Sequence, residues 1–396
     1  MRDPQSMPSR ILKGRYRIIS KLAKGGMGVT YRAWDKPMGV PVVVKMPMRQ
    51  YFDSPGFLDR FDREIRASAA LVHPHVVPLV DYGADKGEPF LVMRFLPGGS
   101  LANRIPKGED GTSTPVAPAF LRCFLPGIAA ALDYSHSRGI VHRDVKPGNI
   151  FFDAQSIAYL GDFGLVKILE ESAMDGDDAT LASAGTAVGT KSYMAPERCV
   201  IGGRFDGRSD QYSLAVTVYE LLAGRKPFLG KTAPILKEHA NAPVPSLAAM
   251  RPELPASLCE AIDRALSKRP EDRFTTCADF AHAALKEVPS LEGTPGIVRF
   301  LCPKCARLLR LPESAAGERG RCPNCRAPMT IAKDLAALWL DSEKEPQFDE
   351  PLELRPTFPP VAQYPKDAGL PMTILSAAIA AAIALGSLIG LALLIK

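Results

Sequence analysis

Asp144, Lys146 and Asn149 stand in one run, His142-Arg143-Asp144-Val145-Lys146-Pro147-Gly148-Asn149, and Asp162-Phe163-Gly164 follows thirteen residues after the asparagine. A carboxylate at Asp144 can take the proton of a hydroxyl. Lys146 can steady negative charge spread over transferring oxygens, and Asn149 with Asp162 offers the hard oxygen donors that Mg²⁺ prefers. Far upstream lies the Gly-rich stretch Leu22-Ala23-Lys24-Gly25-Gly26-Met27-Gly28-Val29-Thr30-Tyr31, where missing Cβ atoms let backbone N–H groups come close to phosphates. Val42-Val43-Val44-Lys45 then reads as a buried strand with one ammonium. Such a charge needs an anionic partner, because an isolated buried ion is expensive.

At 396 residues the chain exceeds one average domain, so further segments must accompany the one that carries this chemistry. Its composition, 46% hydrophobic and 23% charged, is globular, and a net charge of +6 is too mild to make nucleic acid the main partner. Residues 1–15 form a polar lead that lacks the apolar stretch of a secretory signal. No repeat of solenoid or propeller length is present.

Over residues 16–288 these segments resemble the bacterial receptor-type (Hanks-type) Ser/Thr protein kinases. The resemblance implies an α+β, bilobal protein kinase fold, with a small lobe at about 16–95, a large lobe at about 96–288 and ATP bound with Mg²⁺ (or Mn²⁺) between them. It assigns Leu22, Ala23, Gly25, Gly26, Gly28 and Thr30 to the loop over the nucleotide, Lys45 to the phosphates and Glu64 to an ion pair with that lysine. Met93 would guard the back of the adenine pocket, with Phe95 in the hinge. Asp144 would be the catalytic base, Lys146 its companion at the transferred phosphoryl group, and Asn149 and Asp162 the Mg²⁺ ligands. Three positions depart from the family pattern: Ala23 replaces the first glycine, Thr30 an apolar residue, and Arg94 an acidic one.

Lys146 two places after Asp144, and Gly189-Thr190 ahead of Tyr193-Met194-Ala195-Pro196-Glu197, resemble the Ser/Thr class rather than the Tyr class. Substrates would accordingly be protein Ser and Thr hydroxyls. Between Gly164 and Gly189 the chain is small and polar and would be the activation loop, with Thr180, Ser183 and Thr186 as candidate autophosphorylation sites and Arg143 as the residue that would bind the added phosphate. Glu197 and Arg273 match a buried ion pair, and Asp210 a helix-start aspartate that supports the catalytic loop. His73-Pro74-His75 matches a structural turn rather than a metal site. A rival reading, supported by Ala23, is a weakly catalytic nucleotide-binding scaffold that recruits partners through the cysteine-rich segment described next.

Cys302-Pro303-Lys304-Cys305 and Cys322-Pro323-Asn324-Cys325 form two C-x-x-C pairs at structural-zinc spacing, which predicts a small four-cysteine zinc ribbon over residues 297–332. Residues 299–326 carry seven Arg or Lys against two Glu, without the interleaved aromatics that stack on bases. That composition favours protein docking over nucleic acid. Residues 333–371 read as a Pro-rich acidic linker. From Met372 to Ile395 there is no charge, enough for about 36 Å of helix against a hydrocarbon core of about 30 Å. A single C-terminal transmembrane helix over 372–395 is therefore expected, at the cell membrane, with a cytoplasmic kinase domain and essentially no external domain. Ala378, Ala382, Gly386 and Gly390 recur every four residues and would offer a face for homodimerisation in the membrane.

Overall fold

The computed structural model describes residues 10–25, 28–52, 56–105, 113–163, 191–199, 205–230, 232–289, 297–301, 308–312, 319–321, 328–331 and 338–340. An antiparallel six-stranded sheet opens the fold, built from β1 (Ile11–Leu12), β2 (Tyr16–Gly25), β3 (Gly28–Asp35), β4 (Val40–Pro47), β5 (Leu79–Asp85) and β6 (Glu88–Arg94) in the order β1-β2-β3-β4-β6-β5. The polar lead therefore ends earlier than expected. Ile11 and Leu12 pair with Arg17 and Tyr16, and Leu12 is fully buried among Tyr16, Val42, Val44 and Phe90, because two apolar residues suffice to extend an edge.

In β4, Val42, Val44 and Met46 point into that core while Val43 and Lys45 occupy the opposite face. The valine run is thus two-faced, as strand periodicity requires, and Lys45 sits on the open side. Helix α1 (Phe57–Ala69) packs on the sheet through Phe57, Phe61 and Ile65, spaced four apart on one face, against Leu91.

The larger helical core follows, with α2 (Leu101–Arg104), α3 (Leu125–His136), α4 (Gly207–Ala223), α5 (Thr232–Asn241), α6 (Leu247–Met250), α7 (Ala256–Ala265) and α8 (Cys277–Leu285). Helix α4 is its axis, with every residue from Ser209 to Leu222 buried. A helix buried on nearly all sides belongs at the centre of a domain. Strands β7 (Ile150–Phe152) and β8 (Ala158–Leu160) form a hairpin directly after the Asp144 run.

Glu197 and Arg273 make the expected buried pair, with two N–H donors 2.9 and 2.8 Å from the two carboxylate oxygens, and Ser209 Oγ donates to the same Glu197. Burial pushes the Glu197 carboxyl up, but Arg273 and Ser209 outweigh it and hold it below the usual range. His73 and His75 serve a turn: His75 Nδ1 lies 2.8 Å from the Ala158 carbonyl, and the His73 ring packs at a tilt against Tyr134.

Beyond the kinase-like region, β9 (Ile297–Leu301) pairs with β10 (Leu308–Pro312), and β11 (Arg319–Arg321), β12 (Pro328–Ile331) and β13 (Leu338–Leu340) form a second antiparallel sheet. Strand β13 falls inside the segment expected to be linker. Leu338-Trp339-Leu340 is apolar enough to add a third strand to β12, so the ordered ribbon strands run through Leu340. Cys302, Cys305, Cys322 and Cys325, the remaining linker residues 341–371, the 372–395 span with its Ala378, Ala382, Gly386 and Gly390 strip, and Gly26, Gly164, Thr180, Ser183, Thr186, Gly189 and Thr190 all lie outside the described residues. Among the described residues no helix is long and apolar enough to cross a membrane.

Candidate active site

A cleft of about 630 Å³ collects most of the chemistry-bearing residues named from the sequence. Its upper wall is the β2–β3 hairpin with β4, its back is the end of β6 and the segment after it, and its floor is the Asp144 run with Asp162.

The floor is held from below. His142 and Arg143 donate their backbone N–H groups to Asp210 Oδ2 and Oδ1 at 2.7 and 2.8 Å, and His136 Nε2 meets Asp210 Oδ2 at 2.8 Å. Asp210 is 1% exposed, and burial raises its carboxyl while His136 and His142 more than compensate, leaving it below the ordinary carboxylate range. This grip matters because Arg143 has φ 71°. A left-handed non-glycine residue costs about 1–3 kcal/mol and persists only where its surroundings fix it. His142 Nε2 also sits 2.8 Å from the Gly161 carbonyl, and its ring packs edge-on against Phe163. Asp162, with φ 69°, is the second strained residue on this floor.

Asp144 is 6% exposed, and its Oδ2 accepts from Lys146 Nζ at 2.7 Å and from Asn149 Nδ2 at 2.9 Å. Asn149 Nδ2 also donates to the Asp144 carbonyl at 2.7 Å, which fixes the amide orientation. With its nitrogen committed, the amide oxygen of Asn149 is the atom left to act as a metal ligand.

Lys45 Nζ lies 2.9 Å from Asp162 Oδ2, with the two side chains 13% and 18% exposed. Burial raises the Asp162 carboxyl, and the charges of Lys45, Lys146 and His142 draw it below its usual value. Lys45 bonds Asp162 rather than Glu64, whose carboxylate is 3.4 Å from Arg63 Nε; Glu64 is buried on α1 and does not line the cleft. A partly buried ammonium needs an anionic partner, and Asp162 on the floor supplies it.

Leu22, Ala23, Gly25, Gly28, Thr30, Met93 and Phe95 line the cleft with Lys45. Ala23 lies within β2 and pairs with Thr30 of β3, so the departure from glycine occurs in extended backbone where a methyl group fits. Gly28 is needed for another reason than approach to a phosphate: a Cβ there would lie 2.3 Å from the Met46 carbonyl oxygen of β4. Arg94 is exposed, with its guanidinium 5.7 Å over the Tyr159 ring, so it leaves the hinge backbone intact. Val43, Val77, Leu96 and Phe151 also line the cleft and were not singled out from the sequence. Apolar side chains carry no mark that separates a ligand wall from a core; only the position of Phe151 two residues after Asn149 was available as a signal.

Residues 16–287 match the protein kinase domain family. Among curated proteins, the chain is 36% identical over 285 residues to serine/threonine-protein kinase PknH of Mycobacterium bovis, covering 72% of this chain and 46% of that protein. It is 37% identical over 273 residues to serine/threonine-protein kinase PknD of Mycobacterium tuberculosis, covering 68% and 39%. The chain thus spans less than half the length of these relatives. Among solved structures, a cysteine-to-alanine mutant of the PknI kinase domain of Mycobacterium tuberculosis matches with a TM-score of 0.54 at 28% identity, covering 72% of this chain and all of that one.

Proposed function

The chain belongs to the protein kinase family, and from that premise we propose that it is a serine/threonine protein kinase, transferring the γ-phosphate of MgATP to Ser or Thr hydroxyls of proteins. The observation that carries this reading is the convergence of Lys45, Asp144, Lys146, Asn149 and Asp162 on one cleft. Adenine docks between Val43, Met93 and Phe151, against the main chain near Phe95 and Leu96, and the phosphates run towards Lys45. Asp144, held by Lys146 and Asn149, accepts the hydroxyl proton. Lys146 then stabilises charge on the transferred group. Asn149 and Asp162 fit Mg²⁺ (or Mn²⁺), since an amide oxygen and a carboxylate held low are hard donors. The bound cation would neutralise phosphate charge. The family pattern further assigns Glu64 to an ion pair with Lys45. Ala23 no longer argues for a catalytically weak scaffold, because its backbone is extended and strand-paired.

Thr180, Ser183 and Thr186 are the candidates for autophosphorylation. The C-x-x-C pairs bind a structural Zn²⁺, a reading supported by the strand pairs Leu301 with Leu308 and Arg321 with Pro328 that bracket the two cysteine segments. The 372–395 segment anchors the chain in the membrane, where its small-residue strip brings two copies together.

The test is transfer of labelled γ-phosphate by the full chain with Mg²⁺, beside Lys45→Met and Asp144→Asn. Incorporation into Ser or Thr that both variants lose supports the proposal. Folded chain that binds ATP and transfers nothing to itself or to added protein overturns it.

A further inference from the structure

Among the described residues, one group outside the cleft assembles nitrogen, oxygen and sulfur ligand atoms. Asp133 and His136 lie three apart on α3, Cys277 opens α8, and their ligand atoms are all within 4.8 Å of one another. The three line a cavity of about 350 Å³ together with Asp206, Gly207 and Gln211.

Each ligand is already oriented. His136 Nε2 is engaged by Asp210 Oδ2 at 2.8 Å, so Nδ1 is the ring atom that faces Asp133 Oδ1, at 4.0 Å. A carboxylate behind the remote ring nitrogen is the arrangement that fixes the tautomer and raises the basicity of a metal-binding imidazole. Room beside Nδ1 is kept by Gly207, where a Cβ would come within 2.4 Å of that nitrogen. The Asp133 carboxylate is pinned by backbone N–H groups of Cys277 and Ala278, both at 2.8 Å to separate oxygens. Each oxygen keeps a further lone pair. Cys277 is 1% exposed.

We propose that Asp133, His136 and Cys277 bind one Zn²⁺, with a water from the cavity as fourth ligand. Imidazole, carboxylate and thiolate together suit a tetrahedral borderline cation. Mg²⁺, which demands oxygen ligands in octahedral geometry, is selected against, so this site and the nucleotide cleft take different metals. Loading breaks the Cys277 S–H bond, releases that proton to solvent and forms the Zn–S bond. The ion ties α3 to α8. Through His136 it also leans on Asp210, the carboxylate that holds the backbone of His142 and Arg143. It is therefore a clamp under the Asp144 run and not a participant in the chemistry.

The experiment uses the full chain with Cys302, Cys305, Cys322 and Cys325 replaced by Ser, titrated with Co²⁺ as a spectroscopic probe and then with Zn²⁺. One equivalent of Co²⁺ should give a thiolate-to-metal band in the near ultraviolet and the visible bands of a four-coordinate ion. Zn²⁺ should bleach both, and Cys277→Ala in the same background should abolish both. In the unaltered chain, Cys277→Ala should lower bound zinc by one equivalent. Absence of a thiolate band in the chain that keeps Cys277 overturns the proposal, and this reading needs no Cys277 variant to fold. A band that survives Cys277→Ala shows an adventitious site elsewhere and overturns it equally.

Discussion

On the floor of the cleft Asp144 and Asn149 are 6% and 4% exposed and bonded to each other, whereas on the opposite wall Leu22 is 49% exposed and Lys21 through Gly25 all face solvent. The floor rests on Asp210, a buried residue in the first turn of helix α4, whose residues from Ser209 to Leu222 are all buried. The upper wall is the exposed β2–β3 hairpin laid against β4, its register set by pairs such as Ala23 with Thr30, Gly25 with Gly28 and Thr30 with Lys45. Groups that must meet a reacting atom are fixed by several partners each, and the surface that must admit and release a nucleotide is fixed by backbone pairing alone. Side-chain changes should thus be costly on the floor and mild on the wall.

The largest effect tests the floor directly. Asp144→Asn keeps size and most hydrogen bonds but removes the proton acceptor, so phosphoryl transfer should fall by about 10²–10⁴-fold. The thermal midpoint should stay close to that of the unaltered chain, a pairing of results that single-turnover kinetics and calorimetry on one preparation would establish. A large loss of stability would mean that the floor is a structural knot first and a reactive group second.

Support further from the cleft should act on stability instead. Glu197→Gln leaves the Arg273 guanidinium, whose side chain is 0% exposed, without its carboxylate; chemical denaturation should show a loss of about 3–5 kcal/mol. Because Glu197 is held below its ordinary value of 4.5, the stability it contributes is complete above that pH and fades as pH falls through the lower folded value. The stability difference between the two chains should accordingly shrink in acid below about 4.5 and stay constant above it.

His136 gives the opposite sign. Burial lowers its tendency to hold a proton, but Asp210, Asp133 and Asp206 outweigh that and raise it above the ordinary 6.5. Its contribution is complete below 6.5 and is lost as pH rises through the folded value. In the presence of a chelator, His136→Gln should cost about 2 kcal/mol at pH 6 and progressively less in alkali, read from urea midpoints across the pH range.

What the sequence disclosed follows the same division. The floor was legible because Asp144, Lys146, Asn149 and Asp162 are short-range neighbours whose residue types have few other uses together. Glu197 with Arg273, and Asp210, were legible through the kinase resemblance alone, since nothing local links residues that far apart. The Lys45 to Asp162 pair was not, because the choice between two carboxylates depends on where α1 sits and what fills the cleft. The Asp133, His136 and Cys277 group was invisible for a related reason: Cys277 stands alone in the chain and meets α3 only when α8 packs against it. Strand β13 was read as linker because the acidic, Pro-rich composition after Leu340 masked a three-residue apolar run.

The smallest expected effect falls on the wall. Ala23 is the position where the chain departs from the glycine of its family, and a reading from sequence alone gives that departure weight against catalysis. Ala23 pairs with Thr30 in extended backbone that alanine adopts without strain, and its methyl group lies on an exposed stretch. Restoring glycine removes that methyl and loosens the strand, a change worth roughly 0.5–1 kcal/mol in backbone entropy. Since the hairpin carries no proton transfer, this should surface in KM for ATP, within about fivefold, with kcat unchanged. A tenfold or larger rise in kcat for Ala23→Gly would show that the wall governs the reacting geometry, and the contrast between fixed floor and adaptable wall would fail.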